Sequence, residues 1–396
     1  MNISTLNINN SHSLCGQLQR SSTYDAAVEQ YHLACRYVAG DGVDKDVKKA
    51  IHLLQLSANG GYAVAQRQLA DCYRTGEEMD KNEEMAFALY GLASEQGDVK
   101  ASYCLAFYYL HGIVVDKDEK KAAALFQLGA LQGDYDSKYS LGMLYLNGIG
   151  VEKDLPRAAS LFQQAAESRD AMALTLLGYC YEYGFGVERN FHKAVDFYRQ
   201  AAAQELPEAQ YHLGMCYATE RGVEKDMQKA IWLLTRASEK KNPNAQFKLW
   251  KCYKNGNHVS RNAQRAFQHL QSAANLNHIK AQFKISAAYI NGIGVGRDTE
   301  RGVKYCKCSA DQGYSLAQLR LAQIYASGEI AEKNIKLAFY YCQLAASQEF
   351  SFAKYQLGNF YETLYLDLPK AIHQYKLASV DIELARARLN ELGMGS

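Results

Sequence analysis

Proline is scarce in this chain, with four among 396 residues against a usual share of about 5%. This scarcity excludes collagen-like and proline-rich classes, and it favours long uninterrupted helices because proline breaks them. Long apolar runs are lacking too, since no stretch approaches the roughly 18–20 residues that span a bilayer. We therefore expect no insertion into a membrane.

An excess of charge of one sign is also missing. Lysines and arginines exceed aspartates and glutamates by only 44 − 42 = 2, so no overall field is expected to attract nucleic acid or an anionic membrane. The first residues combine neither a basic start nor an apolar stretch, and no signal peptide is predicted. The expected location is cytoplasmic, with non-classical secretion into a host left open.

Tyrosine, by contrast, is abundant and periodic. Ten of the 29 tyrosines lie at steps of 36 residues, and leucine or isoleucine stands four residues before each of them. A fixed period over this length indicates a repeat array rather than one compact domain. The ten, called here the repeat tyrosines, are Tyr37, Tyr73, Tyr109, Tyr145, Tyr181, Tyr217, Tyr253, Tyr289, Tyr325 and Tyr361.

Each repeat is predicted to contain two helices, A and B, joined by a glycine loop. In repeat 4, Leu141, Leu144 and Tyr145 share one helical face, and Gly148 follows as a C-cap. An Asp or Asn then precedes the second apolar stripe, and such side chains accept hydrogen bonds from the free N–H groups of a helix start. The predicted N-caps are Asp46, Asn82, Asp118, Asp154, Asn190, Asp226, Asn262, Asp298, Asn334 and Asp367.

The pattern resembles the Sel1-like repeat, a 36-residue relative of the tetratricopeptide repeat. Repeat 4 carries it as Ser137, Leu141, Gly142, Tyr145, Gly148, Gly150, Val151, Asp154, Arg157 and Ala158. The resemblance covers ten repeats, residues 22–379, and implies an all-α solenoid coiled as a right-handed superhelix. We expect residues 1–21 to form a disordered N-terminus with a cap helix, and residues 380–396 to form a C-terminal capping helix and tail.

Four repeats depart from this pattern, among them repeat 8, which has Gly302 where the others have alanine. Repeat 6 has Glu220 in place of the first loop glycine. Repeat 7 has Trp250 at the small position after the repeat leucine, where a large ring must either overpack the helix crossing or turn outward. Repeat 10 has a shorter loop without glycine, as is typical of a terminal repeat that caps an array.

The ten cysteines are the first candidates for chemistry. A cysteine-rich branch of the similar family pairs two cysteines within each repeat, but this chain has Gln66 with Ser94 at those places. Equivalent cysteines in successive repeats should lie about 10 Å apart, beyond the disulfide limit of about 7 Å. We predict ten free thiols in small buried positions. No metal site is predicted, because His212 and Cys216 supply only two ligands.

Catalytic motifs are not recognised in the sequence. Residues 292–296, Gly-Ile-Gly-Val-Gly, follow a predicted helix rather than a strand and lack the lysine of a phosphate loop. Nucleophile motifs of the Ser-x-x-Lys and Gly-x-Ser-x-Gly types are not found. The repeat tyrosines are interpreted as core residues whose hydroxyls need partners. We therefore predict a protein that is not an enzyme and that holds no cofactor.

The resemblance places helix A on the concave side of the solenoid. It implies that residues two before, two after and five after the repeat leucine face a groove. In repeats 3 to 6 the groove candidates are Tyr103, Phe107 and Leu110; Tyr139, Met143 and Leu146; Thr175, Tyr179 and Glu182; Tyr211, Met215 and Ala218; and also Tyr183.

Two interpretations of these residues remain open. Aromatic residues two before the leucine recur elsewhere in the chain, and this column could equally be core shared between repeats. The middle column, Phe107, Met143, Tyr179 and Met215, is less easily explained as core. It is therefore the stronger candidate for an exposed apolar strip that binds a partner.

A basic ridge is predicted beside this strip. Lys248, Lys251 and Lys254 follow one another at every third residue of repeat 7. They could steer an acidic peptide or a C-terminal carboxylate, although a run of charge is more often a solvated face.

The leading functional hypothesis is a monomeric, non-enzymatic scaffold or adaptor that binds a peptide or helix of another protein in its concave groove. Binding of nucleic acid is not expected. One alternative is an effector-type protein with which a bacterium acts on a host cell. A weaker alternative is a hydrolase, an activity attributed to the cysteine-rich branch of the similar family.

Overall fold

The computed structural model describes residues 14–394, which form 21 α-helices and no strand. The predicted all-α class is therefore confirmed for this part of the chain. Residues 1–13 and 395–396 lie outside the described residues, and so does the disorder predicted for residues 1–11.

The chain divides into two compact halves, residues 1–200 and 201–396. Helices of the N-terminal half are α1 (Leu14–Ala39), α2 (Val47–Asn59), α3 (Ala63–Thr75), α4 (Glu83–Glu95), α5 (Val99–His111), α6 (Glu119–Leu131), α7 (Tyr135–Asn147), α8 (Leu155–Ala166), α9 (Ala171–Tyr183) and α10 (Phe191–Ala203), which ends just past the boundary.

Helices of the C-terminal half are α11 (Pro207–Thr219), α12 (Met227–Glu239), α13 (Pro243–Asn255), α14 (Ala263–Asn275), α15 (Ile279–Asn291), α16 (Thr299–Asp311), α17 (Ser315–Ser327), α18 (Ile335–Ala346), α19 (Ser351–Thr363), α20 (Leu368–Ala378) and α21 (Glu383–Glu391). From α1 to α20, each odd-numbered helix is helix A of a repeat and the next helix is its helix B. The last helix, α21, packs against α20.

Each helix B begins at the residue that was predicted to cap it. All ten Asp or Asn side chains accept a hydrogen bond from the backbone N–H three residues later, as Asp154 does from Arg157 at 2.9 Å. Gly148 ends α7 in the left-handed conformation with φ 70°. Glu220 adopts the same conformation at the end of α11 with φ 59°, at a steric cost of about 1–2 kcal/mol for a residue with a side chain.

Repeat tyrosines pack their rings against the core and bind the following loop through their backbone carbonyls. Tyr145 and Tyr289 are buried and the other eight are half-buried. The nine other than Tyr217 belong to the core clusters or pack against them, so the interpretation as core residues is confirmed for these nine. In every repeat the tyrosine carbonyl accepts a hydrogen bond from the backbone N–H of the N-cap residue, at 2.8–3.1 Å. In seven repeats a Lys or Arg of helix B lies over the tyrosine ring, as Arg157 lies 4.7 Å from the ring centre of Tyr145.

In repeats 4 and 5, a glycine of helix A packs against an aromatic ring of helix B. A Cβ added to Gly142 would lie 2.7 Å from the Phe162 ring, and one added to Gly178 would lie 2.7 Å from the Tyr198 ring. Repeat 7 reverses the sizes, because Trp250 occupies the small position of helix A and Leu270 replaces the ring of helix B. Trp250 is only 8% exposed, so its large ring packs inward.

Candidate functional site

The middle column of the predicted groove is accessible in the N-terminal half. Phe107 on α5 is 46% exposed, and its ring centre lies 4.2 Å from that of His111. Met143 on α7 and Tyr179 on α9 are half-buried at the equivalent positions of the next two repeats. The predicted apolar strip is therefore most open at Phe107.

Three rings gather at the end of α9 and in the loop that follows it. The ring centres of Tyr179 and Tyr183 are 4.4 Å apart, and the Phe185 ring lies 5.7 Å from Tyr179 and 5.8 Å from Tyr183. Tyr183 is 46% exposed. These three residues, called here the aromatic cluster, continue the apolar strip toward the loop edge.

The column two before the repeat leucine packs into the core. Tyr103 lies edge-on to Phe126 with ring centres 5.5 Å apart, and Tyr139 lies 6.3 Å from Phe162. Both are half-buried, as is Tyr211, which packs against the core around Leu234 in the C-terminal half. The geometry of this column is that of core shared between helices.

In repeats 3 to 5, residues five after the leucine are not open groove positions either. Leu110 and Leu146 are half-buried against the same core as Phe126 and Phe162. Glu182 is only 5% exposed, and its carboxylate accepts a hydrogen bond of 2.8 Å from the Tyr198 hydroxyl. The expectation that Glu182 faces the groove was therefore wrong, because a tyrosine of helix B draws its side chain inward.

The basic ridge lies in the C-terminal half, where Met215 is half-buried on α11. Lys251 and Lys254 are exposed on α13, whereas Lys248 is half-buried. The Lys251 ammonium lies 5.0 Å from the Phe247 ring centre, and the Lys254 ammonium lies 5.3 Å from that of Trp250. The ridge is thus a row of cations above buried aromatic rings.

This ridge belongs to a longer basic segment that the sequence reasoning missed. Residues 240–297 contain no Asp or Glu and ten Lys or Arg, so the rest of the chain carries 34 − 42 = −8. The net charge of the whole chain does not reveal this segment. Counting charged residues in successive stretches of the sequence would have found it. The basic residues are Lys240, Lys241, Lys248, Lys251, Lys254, Arg261, Arg265, Lys280, Lys284 and Arg297.

Each half also contains an apolar cleft between two neighbouring repeats. The N-terminal cleft, of about 490 Å³, is lined by Ala34, Cys35, Val38, Lys45, Val47, Ala50, Ile51, Leu54, Gln68, Asp71, Cys72 and Glu78. The C-terminal cleft, of about 370 Å³, is lined by Trp250, Lys254, Arg261, Ala263, Ala266, Phe267, Leu270, Lys284, Ala287, Ala288, Ile293 and Gly294.

The two clefts occupy the same place in the repeat. Six repeats span 216 residues. Adding 216 to the residue numbers that line the N-terminal cleft gives eleven of the twelve residues that line the C-terminal cleft. Leu54 and Leu270 stand at the helix-B position where repeats 2 to 5 have a tyrosine or phenylalanine, such as Tyr90 or Phe162. A leucine fills less of the space between the helices than a ring does, and in both clefts this leucine is part of the lining.

The cysteines show no arrangement for chemistry. The nine whose side chains are described are free, but Cys35 is exposed and three others are half-buried, so the prediction that all are buried was wrong. Burial raises the pKa of Cys180 and of Cys306 to about 11, which disfavours a reactive thiolate. Within residues 14–394, no three His, Cys, Asp or Glu side chains are grouped so as to hold a metal ion.

The hydrophobic stretches of the described helices are too short or too polar for a transmembrane segment.

A sequence model of the Sel1 repeat matches nine successive segments of the chain: residues 30–62, 63–98, 99–134, 136–170, 171–206, 207–242, 243–278, 279–314 and 315–350. A search among curated protein sequences finds no match.

Two solved structures are similar over most of the chain. One is c5321, described as a protective antigen present in uropathogenic Escherichia coli strains and displaying an SLR fold. It is 26% identical, with a TM-score of 0.57 over 94% of this chain and 89% of that one. The other is a Sel1 repeat protein from Oxalobacter formigenes, 27% identical, with a TM-score of 0.55 over 78% of this chain and 90% of that one.

Proposed function

Because the chain belongs to the Sel1 repeat family, we propose that it is a non-enzymatic scaffold that binds a peptide or helix of another protein along the helix-A face of its repeats. Proteins of this solenoid type commonly bind other proteins, since stacked repeats present extended surfaces. A cytoplasmic location and a monomeric state, both expected from the sequence, are part of the proposal.

The observation that carries the proposal is the exposed apolar surface of the N-terminal half. Phe107 and Tyr183 each leave almost half of a large ring exposed, next to half-buried Met143 and Tyr179. Exposed apolar surface of this kind marks interaction sites, and methionine adapts to different partners. Large aromatic side chains also dominate the energetics of protein interfaces.

The test selects binding peptides from a random library displayed on phage, using the immobilised full chain. We expect Phe107→Ala combined with Tyr183→Ala to weaken the selected peptides at least about tenfold, because truncating an aromatic hot spot commonly costs about 2 kcal/mol or more. Both residues are well exposed, so the helical circular dichroism spectrum should stay unchanged.

A matched control is available on helix B. Leu92 and Leu128 are 48% and 42% exposed on α4 and α6, so that Leu92→Ala with Leu128→Ala removes comparable apolar surface elsewhere. This control should bind the selected peptides as the wild type does. If it loses binding while the Phe107 and Tyr183 variant keeps it, helix B carries the site. If the wild type selects no peptide, the binding function is refuted.

A second candidate, an effector-type protein used by a bacterium toward a host, draws support from one observation. The similar c5321 is described as a protective antigen of a pathogen, and the similarity extends over 94% of this chain. Antibody detection of the chain in the culture medium of its source organism, with a cytoplasmic marker as the control for lysis, tests this candidate. Retention in the cell pellet would refute it.

A further inference from the structure

The C-terminal cleft has an apolar floor and an apolar mouth. Trp250 and Leu270 are 8% and 4% exposed at its floor, beside the half-buried Phe267. At its mouth Ile293 is 67% exposed, and Ala287 is exposed on α15. Such a cleft has the shape and the chemistry to accept one large apolar side chain from another molecule.

The rim of this cleft is cationic and lacks counter-charges. Lys254, Arg261 and Lys284 line it, and none of the three forms an ion pair with an acidic residue in the described part of the chain. The chain between residues 240 and 297 also offers no carboxylate, because it contains no Asp or Glu. A carboxylate supplied by a ligand would therefore find several donors and no acidic residue among those that line the cleft.

We propose that the C-terminal cleft binds an acidic peptide segment of a partner protein, with one large apolar side chain in the cleft and flanking carboxylates on Lys254, Arg261 and Lys284. The proposal rests on the scaffold function above and adds the chemistry of one partner. Arginine can hold a carboxylate through two parallel hydrogen bonds, and lysine adds a point charge. The apolar side chain sets the register and the charges guide association.

The low exposure of the aromatic rings favours a peptide over a nucleic acid as the ligand. Proteins that bind single strands offer exposed aromatic faces on which bases stack. Here the Lys254 ammonium lies over the Trp250 ring and the Lys251 ammonium over the Phe247 ring, and both rings are less than one tenth exposed. The exposed part of the site is aliphatic and cationic, which suits an apolar side chain next to carboxylates.

The N-terminal cleft is a control within the same molecule. It occupies the equivalent place, but Val38 replaces Lys254, Gln68 replaces Lys284 and Asp71 replaces Ala287. Glu78 adds a further carboxylate to its rim. Two clefts at the same position of the repeat thus have rims of different charge, one mixed and one cationic, and an acidic peptide should distinguish them.

The experiment measures fluorescence anisotropy of a short labelled peptide with one central phenylalanine between pairs of glutamates, titrated with the full chain. We expect binding that weakens several-fold between about 50 mM and about 300 mM salt, because salt screens exposed charges. Ala287→Glu should weaken binding about tenfold by placing a carboxylate at the mouth, and Ala287→Lys at the same exposed site should strengthen it.

Further controls separate this charge effect from changes elsewhere. Lys307→Glu makes a charge reversal at an exposed position of α16 outside the cleft, and its affinity should match that of the wild type. A peptide with glutamine in place of glutamate, and one with glycine in place of phenylalanine, should each bind at least about fivefold more weakly.

Four results would overturn the proposal. The first three are that the acidic peptide does not bind, that its glutamine version binds equally well, and that the two Ala287 variants have equal affinity. The fourth is that a labelled oligouridylate binds more tightly than the peptide and that the Ala287 variants alter its affinity. If the acidic peptide fails while Phe107 and Tyr183 still mediate capture of library peptides, only this inference falls. If the wild type binds neither the acidic peptide nor any library peptide, both proposals fall.

Discussion

The N-terminal and C-terminal clefts lie at equivalent positions of their repeats and differ in the chemistry of their rims. Lys45 of the first corresponds to Arg261 of the second, but around them Asp71 and Glu78 give way to Ala287 and Gly294. The comparison shows that a cleft with a leucine on helix B can have either a mixed or a cationic rim. The residues around it then determine what the opening can bind.

The helix-A faces of the two halves also differ in side-chain chemistry at equivalent positions. The N-terminal half presents Phe107, Met143 and Tyr179 in the middle column, whereas Lys251 holds that place in repeat 7. The fold tolerates this variation, because none of these side chains is fully buried: Phe107 and Lys251 are exposed, and Met143 and Tyr179 are half-buried. Surface chemistry can therefore change from repeat to repeat without a change of architecture.

The largest expected effect on stability comes from removing a ring that fills the space between helices A and B in the N-terminal half. Phe162 is fully buried against Gly142, so Phe162→Ala should lower the free energy of unfolding by about 3–5 kcal/mol. Leu270→Ala should cost about 2–3 kcal/mol, since Leu270 already borders an open cleft. Urea unfolding followed by circular dichroism measures both.

A rescue variant sharpens this first prediction. Gly142→Trp with Phe162→Leu copies the pairing of Trp250 and Leu270 into repeat 4 and should regain part of the lost stability relative to Phe162→Ala. Equal costs for Phe162→Ala and Leu270→Ala would contradict the size pairing, as would a rescue variant no more stable than Phe162→Ala.

An intermediate effect is expected from transferring the basic rim. Val38→Lys with Gln68→Lys places lysines where the C-terminal cleft has Lys254 and Lys284. We expect the acidic phenylalanine peptide to gain a second site, with an affinity about tenfold above that of the unmodified N-terminal cleft, because each close charge pair adds on the order of 1 kcal/mol. Titration in the Ala287→Glu background isolates the new site, and an unchanged isotherm would contradict the prediction.

The smallest expected effect is a pH dependence confined to the C-terminal half. Burial lowers the pKa of His269 and of His278, and Arg265 adds to the effect on His269, as Lys280 and Lys251 do on His278. The Nδ1 atom of His278 accepts a hydrogen bond of 3.1 Å from the Ala281 N–H, which requires that nitrogen to be unprotonated. The folded state thus favours the neutral imidazoles.

The sign of this dependence follows from the lowered pKa values. Stability from the neutral imidazoles is fully present above the unfolded pKa of about 6.5, and is lost as the pH falls from there toward the folded values. Both tryptophans, Trp232 and Trp250, lie in the C-terminal half, so their fluorescence reports its unfolding selectively. The fluorescence midpoint in urea should fall between about pH 7.5 and about pH 5.5.

A single substitution tests the source of this pH effect. Asn242 caps α13 as His278 caps α15, with a hydrogen bond of 2.8 Å from the Ala245 N–H. His278→Asn should therefore keep the cap and reduce the downward shift of the fluorescence midpoint. A shift that remains as large in His278→Asn with His269→Gln would show that other groups are responsible.

Local features were predictable from the sequence because they depend on residues close in the chain. An N-cap needs only its own side chain and the N–H three residues later, and all ten caps were found at the predicted places. The helix pairs followed from the period for the same reason. The inward packing of Trp250 was left as one of two outcomes, because it depends on the smaller Leu270 twenty residues away.

The candidate site was less predictable, since exposure there depends on the opposite helix. Glu182 occupies a groove position by spacing, but the Tyr198 hydroxyl draws it into the core. Each cleft is lined by both helices of one repeat and by helix A and the loop of the next, and no single column of the repeat shows this. The acid-free segment of residues 240–297 was readable, but only from charge counted along the chain.

The hydrogen bond between each repeat tyrosine and its N-cap has a consequence for how such a chain can change over generations. Each bond closes within one repeat, so every repeat carries its own loop restraint and needs none from a distant one. Unequal crossing-over in the gene that removes or adds one whole repeat would leave the remaining loops intact. Such events would change the number of repeats between the basic segment and the apolar strip while each repeat keeps its own loop.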